Sequence, residues 1–330
     1  VMSDAADYRA LTTLQALPNL STVSMFDPTP LGRESSPIDL FIASTDEINQ
    51  LYLQYIGGGI PAPLGSLVLL GYTSAVESYV RAVIRRTVLG DAISGSRAAL
   101  QTLPYGAAYH HAKDRLPEAL LESYSFSSPK NITDALKEVL GIDVKGSEMQ
   151  AVMDDFARIC ELRHCCVHRG GRLGSRNAIR LGLDAHGQLL ERPFRPSIDD
   201  LQGIADTLRT FVKTLNNFLF ATVLERTVRH GGATVPDVPW TWKWSWSEDR
   251  PYFTRYYQIF SSQADVPQSP TVRRAYASFA ANVKPGGPYW LNARTARRLA
   301  NAAAQAAVPT EAVTGTMPVE LAQSDPSSAA

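Results

Sequence analysis

"SEMQAVMDDFARICELRHCCVHRGG", residues 147–171, is the stretch from which the fold can be argued. Met149, Met153, Phe156, Ile159 and Cys160 recur at three- and four-residue spacing, which predicts an amphipathic helix. Ser147 is a candidate cap at its start. Gly170 and Gly171 predict its stop just after His168, since glycine takes the left-handed conformation that closes helices. With Phe156 as reference and roughly 100° per residue, Met149, Val152, Met153, Ile159, Cys160 and Val167 fall within about 60° of one direction. Arg163 lies only about 20° from the centre of that apolar stripe, with His164 and His168 on its flank at roughly 80° and 120°.

An arginine keeps its charge in a protein and is costly to bury without partners. The stripe must therefore reach a carboxylate, water, a cleft or an interface at Arg163. Glu77, on the helix expected before this one, is a candidate partner. Snorkelling to solvent near the helix end is the other structural solution.

Outward from this helix the chain reads as mostly helical. "LGSLVLLGYTSAVESYVRAVIRRTVLG" predicts a long helix from about Leu64 to Leu89 with Gly90 as its stop. Residues 91–124 predict two short helices broken at Pro104 and Pro117. "SSPKNITDALKEVLGID" carries a start signal, an apolar period and a Gly141 stop. "AIRLGLDAHGQLLERPF", residues 178–194, suggests a β-hairpin with Gly187 in its turn. Residues 198–229 predict a last long amphipathic helix, and 271–306 an Ala-rich helical stretch interrupted by "KPGGP". In "WTWKWSW", Trp240, Trp242, Trp244 and Trp246 alternate, so a strand would set all four on one face. That face would be an aromatic platform for bases or a partner, or would pack on the helical body.

The domain reading is an N-terminal arm over 1–45, a helical domain over 46–230, a Trp-rich C-terminal segment over 231–306 and a disordered tail over 307–330. The chain of 330 residues has 45% hydrophobic and 19% charged residues, as expected of a globular protein. Its 32 basic side chains equal its 32 acidic ones, so any site for a polyanion must be local. Such a patch adjoins His168, where Arg169, Arg172, Arg176 and Arg180 follow. A histidine gives or takes protons near neutral pH, and a guanidinium grips a phosphate in two-point contact. Together they suit phosphoryl chemistry without a metal. Cys160, Cys165 and Cys166 are crowded and poorly placed to pair, and read as reduced thiols of a cytoplasmic protein. No signal peptide and no uninterrupted membrane-spanning run is expected.

"RHCCVH", Arg163 to His168, resembles the signature of the HEPN family: an arginine, four to six residues beginning with a polar one, then a histidine near a helix end. The "RHCCVHRGG" ending, "TSAVESYVRAVI" in the first long helix and "FSSPKNITDALKEVLGID" are similar to family members as well. The resemblance covers residues 64–230. It implies an antiparallel all-helical bundle and a homodimer whose motif helices face each other across one composite cleft. It also implies a ribonuclease that uses no cofactor and leaves 2′,3′-cyclic phosphate and 5′-OH ends. By position, His168 would be the general base or acid, Arg163 would stabilise charge on phosphorus, and His164 would orient the pair. Glu77 would support Arg163, while Arg169, Arg172 and Arg176 would contact RNA, tRNA among the candidates. The setting implied is phage defence or a toxin–antitoxin pair, with an antitoxin or defence partner protein and no membrane. The usual polar residue at the position of His164 is asparagine or aspartate.

Two other readings stand beside this one. His164 and His168, with the three thiols and with His110 or His111, could bind zinc, although no second ligand pair of the usual spacing exists. A HEPN-like module could instead bind RNA or a partner without cutting. The chain lacks a phosphate-binding P-loop and a G-x-S-x-G elbow.

Overall fold

The computed structural model describes residues 11–12, 16, 18–29, 35–110, 112–230 and 240–288. It falls into two compact units, Val1–Ser35 and Ser36–Ala330. In the first, the described residues include a 3-10 turn, Val23–Met25, closed by Met25 N–H on the Thr22 carbonyl at 3.1 Å. Everything below concerns the second unit.

That unit is helical: α1 (Pro37–Gln50), α2 (Ala62–Gly90), α3 (Ala92–Ala98), α4 (Tyr105–His110), α5 (Leu116–Leu121), α6 (Pro129–Ala135), α7 (Ser147–His168), α8 (Ser175–His186), α9 (Ile198–His230), α10 (Trp246–Phe260) and α11 (Val272–Val283). Residues 37–45, placed in the arm by the sequence reading, belong to α1. No strand occurs among the described residues.

The centre is α2, against which α1, α3, α5, α7, α9 and α10 all pack. Val68, Leu69, Tyr72, Val76, Tyr79, Val80, Val83 and Ile84 are buried along it, more than one helical face, because neighbours approach from several sides. By length and composition alone α2 could cross a membrane, the one such helix among the described residues, yet 56% of its most apolar window is buried inside the protein. Phe156 of α7 stacks on Phe211 of α9 with ring centroids 4.5 Å apart, fixing the motif helix to the longest helix. Tyr79 donates to Asn216 Oδ1 at 3.2 Å, tying α2 to α9 at a fully buried point.

Several stops and starts follow local chemistry. Ser128 caps α6 by accepting from the Asn131 N–H, and Gly141 closes the following π turn, Leu136–Leu140, at φ 70°. The breaks at Pro104 and Pro117 become starts: Pro104 precedes α4, and Pro117 sits in the first turn of α5. Ser147 opens α7 but does not cap it; Gly146 holds the cap position, with no side-chain hydrogen bond.

Two expectations are corrected. Most of the stretch expected as a hairpin forms α8 instead, and the only β-type pairing there is an isolated antiparallel bridge between Arg172 and Pro193. The alternation in "AIRLGL" is misleading because the neighbour is a helix. Asn177 and Ala178 bury against α7 while Arg180 reaches back to Glu161. "WTWKWSW" is likewise not a strand. Trp244 has φ 59°, and Trp246 begins α10.

The tryptophans pack on the helical body. Trp242 is buried, donates to Thr227 of α9 at 2.9 Å and meets Phe279 of α11 at 4.9 Å between centroids. Asp249 organises the segment. Fully buried, it accepts from Trp240 Nε1 at 3.1 Å, Lys243 N at 3.0 Å, Ser245 N at 3.3 Å and the Tyr276 hydroxyl at 2.7 Å. A buried carboxylate is tolerable only with this many donors. Residues 231–239 at the start of the Trp-rich segment, the end of the Ala-rich stretch from 289 and the 307–330 tail lie outside the described residues.

Candidate functional site

The last turns of α7 change the face they bury. Up to Ile159 and Cys160 the stripe centred on Phe156 is covered. Past them Val167, expected in the stripe, is 45% exposed, while Cys165 on the opposite side is 3% exposed. The cause is α8 with the returning chain at 171–194, which covers the Cys165 side and leaves the other open.

Arg163 sits where the stripe runs out. Its Nη2 lies 3.4 Å from Glu77 Oε1 on α2, and both side chains are 27% exposed. The two form an ion pair at the edge of the core. His164 and His168 are both exposed, one turn apart, with ring centroids 4.6 Å apart and planes inclined by 49°. Arg163 and His168 are separated by about 140° around the helix and about 7.5 Å along it, so they bracket the imidazole of His164 rather than touch.

The helix then stops at a pair of left-handed glycines. Gly170 (φ 58°) and Gly171 (φ 78°) reverse the chain, and the N–H groups of Arg169 and Gly171 both donate to the Cys165 carbonyl, at 3.1 and 3.0 Å. Gly174 lies against Arg169: a Cβ there would fall 2.8 Å from Cδ and Nε of that side chain, which would have to move aside.

The cationic patch is more neutral than the sequence suggests. Arg169 pairs with Glu191, Arg172 donates to the Glu191 carbonyl at 3.1 Å, and Arg180 pairs with Glu161. Glu161 also accepts from Asn177 at 2.7 Å. Arg176 is exposed and makes no such bond among the described residues. The sequence reading passed over Glu161 and Glu191, although Glu161 lies two residues before Arg163.

The three thiols are set apart from the imidazoles. Burial pushes Cys160 up to about 12, against the opposing pull of the Arg163 charge. Burial likewise raises Cys165, against a hydrogen bond from the Gly174 backbone, and Cys166, against one with the Ser66 hydroxyl of α2. Among the described residues no three His, Cys, Asp or Glu side chains are grouped to hold a metal ion. His111 lies outside the described residues, and His110 stacks edge-on against Tyr109 in α4. Comparison with known proteins returns no matching family model, no matching curated protein and no matching solved structure.

Proposed function

We propose that the chain is a nucleic-acid-cleaving helical protein of the HEPN type, and within that class a metal-independent endoribonuclease. The observation that carries the reading is the exposed pair His164 and His168, 4.6 Å apart, beside an arginine steadied by a carboxylate from another helix. Two exposed imidazoles side by side supply the kind of donor and acceptor groups that proton transfer in a cleavage step requires. In the proposed reaction His168 removes the proton from a ribose 2′-OH as its oxygen attacks the adjacent phosphorus. The P–O5′ bond breaks, the leaving oxygen takes up a proton, and 2′,3′-cyclic phosphate and 5′-OH ends result. Arg163 stabilises the charge that builds on the phosphoryl oxygens, and His164 orients the phosphate. Arg176, and Arg169 and Arg172 beyond their bonds to Glu191, meet the flanking phosphates. The site lies open on one face, so its opposite wall comes from a second copy of the chain in a homodimer. Defence against phage, or a toxin held by an antitoxin partner, is the setting that the HEPN resemblance suggests.

A non-cutting RNA- or partner-binding module is the second reading, favoured by the pairing of Arg169 and Arg180 with carboxylates. The deciding experiment incubates purified full chain with total RNA and tRNA in excess EDTA, beside His168→Ala. Cleavage by the wild type alone, with cyclic-phosphate ends, is the expected result. RNA binding without cleavage by either protein would favour the binding module.

A further inference from the structure

On the side of α7 away from the imidazoles lies a groove of about 580 Å³, between the end of α7, α8 and the start of α9. Its floor and walls include Leu162 and Cys165 of α7, Leu173, Leu181 of α8, Phe194 and Ile204 of α9. The volume falls in the range of small-molecule sites.

The far wall is held in place by backbone bonds. Glu191 N–H donates to the Leu173 carbonyl at 2.9 Å, Leu173 N–H to the Arg192 carbonyl at 3.1 Å, and Phe194 N–H to the Gly171 carbonyl. Pro196 is pinned against Gly65 of α2, where a Cβ would come within 2.8 Å of its ring. The groove is thus built by the fold rather than left by a loose loop.

Its charged groups are two arginines and one acid. Arg192 and Arg195 line it, both exposed, and among the described residues neither makes a side-chain ion pair or hydrogen bond, unlike Arg163, Arg169 and Arg180 close by. His186 uses Nδ1 on the Gly182 carbonyl at 2.9 Å, which leaves Nε2 available. The one acid, Asp200, is engaged, one oxygen accepting from both Ser197 N and Ser197 Oγ at 2.8 Å. Apart from Phe194 and Cys165 the apolar lining is leucine, isoleucine and proline, and the one other lining ring, His186, is held on the Gly182 carbonyl. An aliphatic trough with two unpaired guanidinium groups matches a flexible alkyl tail that ends in one anion.

We propose that this groove binds a monomeric long-chain carboxylate, its alkyl chain along the Leu162, Leu181 and Ile204 floor and its head group between Arg192 and Arg195. Gly182, at φ 107° with nothing within 4 Å of where its Cβ would be, breaks α8 between Leu181 and His186. Both of those residues line the groove, so the break sets its width.

The test titrates the full chain with dodecanoate below its micelle-forming concentration, followed by calorimetry, with dodecanol, acetate and AMP as comparators. Saturable one-site binding of dodecanoate is expected, with dodecanol, acetate and AMP each weaker by about tenfold or more. Arg192→Gln with Arg195→Gln is expected to cost dodecanoate about tenfold and leave dodecanol unchanged. Leu189→Glu, at a lining position 48% exposed and therefore harmless to the core, should weaken dodecanoate by repelling its head group. His168→Ala should bind as the wild type does, because the site stands apart from the proposed cleavage chemistry. Absence of saturable binding would overturn the proposal. So would equal affinity for dodecanoate and dodecanol, tighter binding of AMP, or unchanged affinity in both groove variants.

Discussion

Asp249→Ala should damage this protein more than most single substitutions, and the structure says by how much. The carboxylate is fully buried and accepts from an indole, two backbone N–H groups and a phenol, at 3.1, 3.0, 3.3 and 2.7 Å. Hydrogen bonds to a charged acceptor contribute about 1.5–3 kcal/mol each, but the bond from Ser245 is long and water entering the vacated space would recover part of the rest, so the expected loss is about 4 kcal/mol. Asp249→Asn separates charge from shape. Its oxygen can keep Trp240 and Lys243 while the amide nitrogen replaces the oxygen that faces Tyr276 and Ser245. The Tyr276 hydroxyl can turn to accept and the Ser245 N–H cannot, so the expected cost is about 1.5 kcal/mol. Urea unfolding followed by tryptophan fluorescence and by helical circular dichroism measures both, since Trp240, Trp242, Trp244 and Trp246 surround the site. A loss below about 1 kcal/mol for Asp249→Ala would refute the assignment of this carboxylate as the organiser of the Trp-rich segment.

Asp39 gives a pH dependence of definite sign. Burial opposes its charge, but the Ser262 hydroxyl and the Ala264 and Gln263 N–H groups donate to it and hold the carboxyl below its ordinary value. Its stabilisation is therefore full above the unfolded value of 3.8 and is lost as pH falls through the lower folded value. Urea midpoints measured down to about pH 2.5 should fall less steeply for Asp39→Asn than for wild type. Cys160, pushed to about 12 by burial, should resist iodoacetamide at pH 8 in the folded chain and react once urea unfolds it. Rapid native labelling at that residue, read by mass spectrometry, would contradict the packing of the α7 stripe. Among glycines, Gly65→Ala should lower the melting temperature, because its Cβ meets Pro196 at 2.8 Å, whereas Gly203→Ala in α9 meets nothing within 4 Å and should raise it by the helix propensity of alanine.

The long helices were legible because their signals are local. Periods in α2, α7 and α9, and stops at Gly141, Gly170 and Gly171, act over a turn or two, and the structure follows them to within a few residues. The errors arose where a distant partner decides the outcome. Alternation in "AIRLGL" signals a strand until Asn177 and Arg180 are seen to share Glu161; Gly182 in that run breaks a helix, and Gly187, expected in a hairpin turn, has helical dihedrals, φ −60° and ψ −36°. Alternation in "WTWKWSW" gives way because Asp249 and Thr227 claim two of the indoles. Of the candidate site, the shared face of His164 and His168 could be derived from helix geometry, whereas Glu77 is one of two alternatives for Arg163, beside snorkelling to solvent. The pairing of the patch arginines could not be derived, since Glu191 meets Arg169 only through the chain reversal that Gly170 and Gly171 permit.

That reversal bears on why an arginine occupies the apolar stripe. Counted from Phe156, residue 163 is a core position, yet the chain after Gly171 packs on the Cys165 side and leaves the stripe uncovered past Ile159. A charge there meets one carboxylate and partial solvent, so its removal in favour of an apolar side chain should cost the fold little. Removing one partner of a fully buried ion pair is costly, but this pair is only partly buried and Glu77, 27% exposed, can turn to water. Arg163→Leu should therefore stay within about 1 kcal/mol of wild-type stability, or exceed it, by urea unfolding. Under the ribonuclease proposal the same variant loses RNA cleavage. A residue that the fold does not need but cleavage does is one kept for chemistry. A loss above about 2 kcal/mol would make Arg163 a structural tie between α2 and α7, and the functional reading would then rest on the two imidazoles alone.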